Sequence, residues 1–404
     1  MNVEKIRADF PVFRELTKNY IYFDNAATTQ KPQQVIDKIS QFYAYHTANV
    51  FRSLYIKAEE ATSLYEQARA QIAAFIGVHS DEVIFTSGTT EGINFIASTW
   101  GAEFISAGDE IVVSQMEHHA NFLPWQQLVQ KVGAHLKIVP ITTDGYLNMQ
   151  AYQDLLSSKT KLVAITHASN VLGTTNDVKH IIQLAHHVGA KVLVDAAQSA
   201  PHQKLDVHEM GADFLVFSSH KMLGPTGIGC LFIKRELQDL VPPYQFGGGM
   251  VADVCCERSL WAPAPRKFEA GTPPIAQAIG FAAAINYLKE NVPFADLKRH
   301  ESQLTTRAIE ELETIKGIHI VGPREQLKKD GHLVSFFVDR IHAHDIAAFL
   351  DSDEITVAVR AGQHCAQPLH ALLGLPATVR ISFYCYNTLE EVDCFIDRMR
   401  KLKS

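Results

Sequence analysis

Short apolar runs separated by amphipathic stretches fill the first two-thirds of the chain. Residues 83–86, 111–114, 136–140, 162–166, 192–195, 214–217 and 229–233 are four or five residues long and carry almost no polar side chains. Their length and uniformly apolar character predict strands buried on both faces. Between them, 34–48, 58–76, 93–99, 125–132, 149–156 and 178–188 place apolar residues at three- and four-residue spacing, which predicts helices. Strands and helices in regular alternation imply a mostly parallel sheet covered on both sides.

The pattern changes at 242–274, where Gly247-Gly-Gly249, Pro263, Pro265, Gly271 and Pro273-Pro274 cluster. This stretch reads as loop and boundary. A helix over 275–291 should lead into a smaller α+β domain with strands at 333–338 and 355–359 and a helix at 389–402. The predicted division is a large domain over 20–274 and a small one over 275–404, joined by the N-terminal residues 1–19. No internal repeat or low-complexity tract interrupts it.

Composition narrows the classes. A chain of 404 residues with 47% hydrophobic and 20% charged residues has the make-up of a globular protein with room for two domains. A formal net charge of −7 and the lack of any Lys/Arg run argue against nucleic-acid binding. No apolar stretch approaches the ~18 residues of a membrane span. Residues 1–9 carry charges of both signs and no apolar run, unlike a secretory signal. The six cysteines (230, 255, 256, 365, 385 and 394) form no CxxC pair, which suits reduced thiols and a cytoplasmic setting.

Candidate chemistry concentrates at two strand ends. Val192-Leu-Val-Asp195 ends in a carboxylate, and Phe214-Leu-Val-Phe-Ser-Ser-His-Lys221 ends in hydroxyls, an imidazole and an amine. The spacing leaves room for one strand–helix–strand crossover, so the two groups can sit on neighbouring strands. An amine for a Schiff base and a carboxylate to keep a pyridine nitrogen protonated are what pyridoxal phosphate requires. Lys221 alone would be one of 37 basic residues, normally solvated; its setting reverses that reading. Upstream, Ser87-Gly-Thr-Thr-Glu-Gly92 joins a strand to a helix and offers free N–H groups, a dipole end and the Thr89 and Thr90 hydroxyls to a phosphate. Many strand–helix turns look similar, and the order of Asp195 and Lys221 downstream is what gives this one weight. Glu117-His118-His119 has no companion ligands at metal spacing, so a histidine stacked on a cofactor ring fits better and no metal is expected.

Asn25-Ala-Ala-Thr-Thr, Ser87-Gly-Thr-Thr-Glu-Gly-Ile-Asn94, Glu117-His-His-Ala-Asn121, Asp195-Ala-Ala-Gln198, Ser218-Ser-His-Lys221, Phe268-Glu-Ala-Gly-Thr272 and Arg360-Ala-Gly-Gln-His-Cys365-Ala stand in order along nearly the whole chain. Together they resemble the cysteine desulfurases of the class V aminotransferase family, specifically the group II (SufS/CsdA-like) branch. The resemblance implies the type I fold of pyridoxal-phosphate-dependent transferases: α/β, with a mostly parallel large domain and a smaller α+β C-terminal domain. It implies that Lys221 carries the cofactor, Asp195 pairs with the pyridine nitrogen, Gln198 contacts the phenolic oxygen and His118 stacks on the ring. Thr89, Thr90, Ser218 and His220 would hold the phosphate. Thr272 would reach the cofactor of a partner subunit, which implies a homodimer. Asn170, Arg360 and Arg380 would bind the substrate's carboxylate end.

Cys365 separates a desulfurase from an aminotransferase, because a protein thiolate must take the sulfur of L-cysteine as a persulfide and release alanine. Arg360 and His364 stand close enough in sequence to lower its pKa, and Cys255-Cys256 is the competing thiol site. Two stretches depart from the family pattern: Gln363-His364 replaces a pair of histidines, and Phe51-Arg-Ser-Leu-Tyr55 lacks two more. The expected activity is L-cysteine desulfuration for iron–sulfur assembly or related sulfur transfer. L-Selenocysteine lyase activity and, less favoured, true transamination are the alternatives; a non-catalytic scaffold role conflicts with the complete Lys221–Asp195–His118 set. A SufE-like or SufU-like acceptor protein would dock near the Cys365 loop, with His342 and His344 as candidate neighbours.

Overall fold

The computed structural model describes residues 1–15, 20–51, 53–351 and 355–402, so Arg52 of the divergent Phe51–Tyr55 stretch lies outside the described residues. A strand β1 (Tyr20–Tyr22) precedes the main sheet. That sheet comprises β2 (Val83–Thr86), β3 (Glu110–Ser114), β4 (His135–Val139), β5 (Thr160–Thr166), β6 (Lys191–Asp195), β7 (Phe214–Ser218) and β8 (Gly229–Ile233), in the order β2–β8–β7–β6–β5–β3–β4. Strand β8 runs antiparallel to both neighbours, and the other pairs are parallel. Successive side chains point to opposite faces. Val112, Val163, Val192, Leu215 and Phe217 join one core, while Ile111, Leu162, Leu193, Phe214 and Val216 join the other. Burial on both faces is why these strands read as unbroken apolar runs. The helix Thr89–Ile96 lies so close to β7 that a Cβ at Gly92 would come within 2.8 Å of Val216 Cγ1. Gly92 therefore sets how near the front of that helix approaches the site.

A hairpin, β9 (Val251–Val254) and β10 (Ser259–Trp261), lies inside the stretch expected to be loop. Its residues are mostly exposed, so neither face produces the alternation that marks a strand. The second sheet has β11 (Ile318–Val321), β12 (Leu333–Val338), β14 (Arg360–Gly362) and β15 (Thr378–Ser382) in the antiparallel order β11–β12–β15–β14, while β13 (Thr356–Ala358) pairs in parallel with β1.

The division drawn from the sequence differs from how the cores are built. The helix Ile275–Asn291, assigned to the small domain, packs against the helices Gln33–Gln41 and Ile56–Ile76 and buries its side chains in the large core. It is apolar on nearly every side, and only a large core can cover such a helix. Ile6 and Phe10 also belong to the large core, whereas Ile21 and Phe23 join Leu304, Phe336, Val379 and Phe395 in the small one. The chain thus visits the small domain at β1 before building the large sheet. Among the described residues no helix is long and apolar enough to cross a membrane.

One buried ion pair fixes the loop after the hairpin. The Glu269 carboxylate accepts from Arg69 Nη1 at 2.7 Å and Nη2 at 2.8 Å, from the Phe85 N–H at 2.8 Å and from the Tyr65 hydroxyl at 2.9 Å. The Arg69 side chain is 1% exposed, and Arg69 Nη1 also donates to the Val83 carbonyl. Removing one partner of such a pair strands a buried charge. Glu269→Ala should destabilise the protein by about 3 kcal/mol in denaturant unfolding. A loss below about 1 kcal/mol would mean that water replaces the carboxylate.

Candidate active site

The loops that follow the C-terminal ends of β2, β3, β5, β6 and β7 converge, as open α/β sheets bring ligand sites to that edge. With Arg360, His364, Cys365 and Arg380 from the small domain they enclose a cavity of about 270 Å³. Thr89, Thr90, His118, Asn170, Asp195, Gln198, Ser218, His220 and Lys221 line it as well. Of the residues expected to hold the cofactor or substrate, Thr272 alone is not brought there. It is exposed and lines a separate cavity of about 180 Å³ with Ser87 and Glu91. Cys255 and Cys256 sit at the exposed turn of the β9–β10 hairpin.

Strands β6 and β7 are parallel neighbours with Asp195 opposite Val216, so the carboxylate and the lysine turn emerge side by side. Asp195 is buried, and its Oδ1 accepts the Ala197 N–H at 2.9 Å. Burial pushes its carboxyl up, a cost that a pyridinium partner would remove. Burial pushes the Lys221 amine down to about 8, against the opposing pull of Asp195. The carbonyl of His220, next to Lys221 in the chain, accepts from Thr28 Oγ1 at 3.0 Å, Thr29 N at 3.0 Å, Thr29 Oγ1 at 3.1 Å and Lys31 Nζ at 3.0 Å. The Asn25-Ala-Ala-Thr-Thr motif therefore fixes the peptide that carries the lysine. Lys31 escaped notice in the sequence; its place two residues beyond that motif is the signal that points to it.

His118 Nδ1 accepts the Ala120 N–H at 3.1 Å, which leaves the ring proton on Nε2. Burial, reinforced by Lys221, pushes this imidazole down to about 3, so it is neutral at physiological pH. The neighbouring Glu117 points inward, held by Ser114 Oγ, the Thr166 N–H at 2.9 Å and Asn121 Nδ2 at 2.6 Å. Among the described residues no three His, Cys, Asp or Glu side chains are grouped to hold a metal.

At the opposite end of the cavity, the Thr89 N–H donates to Ser218 Oγ at 2.8 Å, and the two hydroxyls lie 2.8 Å apart. Gly88 caps the helix without a side chain, so the first-turn N–H groups beyond Thr89 meet no capping side chain. A Cβ on Gly229 would fall 2.6 Å from Gly88 Cα, so this cradle exists only with glycine behind it. An amine, an acid, a neutral imidazole and an N–H cradle in one cavity fit pyridoxal phosphate: Lys221 for the covalent link, Asp195 for the ring nitrogen, His118 for the ring face, and Thr89, Thr90, Ser218 and His220 for the phosphate. The Gln198 amide donates to the Ala26 carbonyl at 2.8 Å, which fixes its buried side chain against the cavity wall.

The carboxylate end differs from expectation. The Asn170 amide donates to the His364 carbonyl at 2.8 Å, and its main-chain oxygen accepts Arg380 Nη1 at 2.8 Å. Asn170 thus links Arg380 to the Cys365 loop. Arg360 is engaged by Asp24, with Nη2 at 2.8 Å from Oδ2 and Nε at 3.3 Å from Oδ1. Asp24 went unnoticed in the sequence, although it directly precedes the Asn25 motif. Arg380 is buried, with Nη2 also 3.4 Å from Asp24 Oδ1, and its Nε has no partner.

Cys365 is exposed within a strained loop: His364 and Cys365 both adopt left-handed backbone, with φ of 50° and 55°. The Cys365 carbonyl accepts the His119 N–H at 2.8 Å, and the Pro368 carbonyl accepts Gln115 Nε2 at 2.9 Å, so the His118 segment clamps the loop. His364 does not serve as a cation beside the thiol. Its ring turns inward to Thr378 Oγ1 at 2.9 Å, and burial pushes it down to about 2. The positive charges that reach Cys365 electrostatically belong to Lys221, Arg360 and Arg380. His342 accepts the His344 N–H and starts the helix Ala343–Leu350, a structural duty.

The family profile described as aminotransferase class-V matches residues 21–395, and the chain belongs to that family. It is 45% identical over 400 residues to a probable cysteine desulfurase of Halobacterium salinarum, covering 98% of this chain and 95% of that protein. It is 45% identical over 406 residues to a probable cysteine desulfurase of Halalkalibacterium halodurans, covering 100% and 98%. Among solved structures, the apo cysteine desulfurase of Thermococcus onnurineus superposes with a TM-score of 0.94 at 39% identity, covering 99% of this chain and 98% of that one. The cysteine desulfurase CsdA of Escherichia coli gives 0.91 at 35% identity, with the same coverage.

The lowered Lys221 amine has a measurable consequence. Only the neutral amine attacks an aldehyde, and below a pKa of about 8 it is the minor form. Cofactor-free protein mixed with pyridoxal phosphate should develop its visible band roughly fivefold faster at pH 8 than at pH 7, and level off above about pH 9. A rate still climbing about ninefold per pH unit at pH 9 would show an unshifted lysine.

Proposed function

We propose that the protein is a pyridoxal-phosphate-dependent L-cysteine desulfurase that forms a persulfide on Cys365. The observation that carries this reading is that Cys365 lines the same cavity as Lys221 and Asp195, while Cys255 and Cys256 do not. Bound pyridoxal phosphate supplies an electron sink that weakens the substrate's carbon–sulfur bond. Lys221 holds the cofactor and, with an amine near neutrality, gives and takes a proton. Asp195 keeps the ring nitrogen charged. His118 covers the ring and offers its Nε2–H to the substrate side. Arg380, which lines the cavity, binds the substrate carboxylate. The Cys365 thiolate then attacks the substrate sulfur, the sulfur–sulfur bond replaces the carbon–sulfur bond, and the carbon skeleton takes a proton and leaves as alanine.

The identity of the relatives supports this substrate, and the likeness to CsdA supports the group II branch. The persulfide stays attached after turnover, so something must remove it. A SufE-like or SufU-like acceptor with its own reactive cysteine suits the exposed Cys365, and iron–sulfur assembly is the destination such a relay serves. The exposed Thr272 has a role if two copies associate and it reaches the second cavity, so a homodimer belongs to the same reading. L-Selenocysteine is the alternative substrate, since its selenium leaves more easily than sulfur and its cleavage does not require the thiol.

Purified enzyme given L-cysteine with and without a reductant should release alanine in both cases and free sulfide mainly with the reductant. Cys365→Ser should keep the visible band and lose alanine formation by on the order of a hundredfold or more, while selenocysteine cleavage survives in part. Alanine formation at the wild-type rate would move the nucleophile elsewhere, with Cys255 and Cys256 next to be replaced.

A further inference from the structure

The Cys365 loop leaves the small sheet at Gly362, the last residue of β14, which lies opposite Thr378 on β15. Left-handed backbone at His364 and Cys365 persists only where its surroundings over-determine it. Two of the holding contacts come from the large domain, Asn170 on the His364 carbonyl and the His119 N–H on the Cys365 carbonyl. A third is buried within the small domain. The Thr378 hydroxyl lies 2.9 Å from His364 Nε2 and 3.2 Å from Nε2 of His370, a residue of the helix Gln367–Leu373. His370 Nδ1 in turn lies 3.1 Å from the Ala366 carbonyl. Thr378 and His370 are wholly buried, and neither lines the active-site cavity.

The partners dictate where the protons sit. A carbonyl only accepts, so His370 carries its proton on Nδ1. Burial pushes both imidazoles down, and neutral His370 therefore accepts at Nε2. The single Thr378 hydrogen goes to His370, and the Thr378 oxygen accepts from His364 Nε2–H. His364 Nδ1 is then bare, and its lack of a partner strands no N–H. The hydrogen bonds all run one way, from His364 to Thr378 to His370 to the Ala366 carbonyl, an arrangement in which each strengthens the next. The chain starts at the residue before Cys365 and ends at the residue after it, so it closes a ring behind the thiol. We propose that Thr378 and His370 are positioning residues for sulfur transfer: by clamping both neighbours of Cys365 they hold its thiol at the cavity, within reach of the substrate sulfur. This inference deepens the reading of Cys365 as sulfur acceptor and rests on it. The clamp matters for the step inside the cavity alone, where a displacement of about 1 Å can cost on the order of a hundredfold. A small reagent arriving from solution meets the exposed thiol wherever the loop puts it.

Thr378→Val keeps the side chain's shape and removes the hydroxyl. In the holoenzyme, kcat for alanine formation from L-cysteine should fall by about tenfold or more, with KM nearly unchanged. Two further readouts should hold steady. Alkylation of Cys365 by iodoacetamide in the resting holoenzyme, followed by peptide mass, should stay within about twofold of the wild-type rate. The midpoint of the change that L-alanine causes in the visible spectrum should not move. Thr378→Ser restores the hydroxyl and should recover kcat. An unchanged kcat in Thr378→Val, or no recovery in Thr378→Ser, overturns the proposal. So does an equal loss in alkylation, which would put the effect on the thiol's reactivity, or a matching shift with L-alanine, which would put it on the whole site. His370→Asn keeps a donor for the Ala366 carbonyl but is too short to accept from Thr378. It should show the same split in smaller measure, and it decides the matter if Thr378→Val does not fold. Cys365→Ser, assayed alongside, separates the two claims. If it forms alanine at the wild-type rate, the reading of Cys365 as acceptor fails. If it is inactive while the split is absent, the clamp alone is wrong.

Discussion

Two groups of opposite charge, Lys221 and Asp195, are held buried in one cavity at the ends of adjacent parallel strands. Each alone would cost several kcal/mol to desolvate. The sheet cannot let them separate, because β6 and β7 share a hydrogen-bonded register and both lie wholly within the core. Burial therefore acts on their chemistry instead of their position. It pushes the amine down, toward the neutral form that attacks an aldehyde, and the carboxyl up, a cost that a cationic ring beside it would remove. The apolar strands that build the fold are thus the reason the amine is reactive near neutral pH.

A second constraint is the segment from Tyr22 to Lys31, which joins the two domains. Asn25 donates to the Ser382 carbonyl at 2.7 Å, and the Ala26 N–H donates to Ser382 Oγ at 2.8 Å, at the end of the strand that carries Arg380. A few residues on, Thr28, Thr29 and Lys31 hold the His220 carbonyl. One stretch thereby sets Arg380 against the lysine turn. The Cys365 loop is tied in from the other side, through Asn170 and the His119 N–H. Its left-handed residues store strain that these contacts offset, so the thiol keeps an exposed position without wandering.

The large sheet was legible in the sequence because its strands are buried on both faces, and such runs need no partner to be recognised. Lys221 and Asp195 were legible for the same reason: a charged group closing an apolar strand is conspicuous. The domain division was not, since Ile21 and Phe23 look no different from Ile6 and Phe10 in sequence yet enter the other core. Asp24 was missed because a carboxylate after a three-residue strand carries no pattern; its meaning comes from two arginines more than three hundred residues away. His364 misled for the converse reason. Proximity in sequence suggested a cation beside Cys365, but consecutive left-handed residues turn its ring into the core beside Thr378.

The central claim is that one cavity brings a lysine-held cofactor and a single thiol together for sulfur transfer. Its most direct test is peptide mass spectrometry on the holoenzyme after a brief exposure to L-cysteine without reductant. The peptide containing Cys365 should carry one additional sulfur atom, removable by a reductant, and the peptide containing Cys255 and Cys256 should be unchanged. Alanine formation with no added sulfur on Cys365, or with the sulfur on the hairpin cysteines, would contradict it.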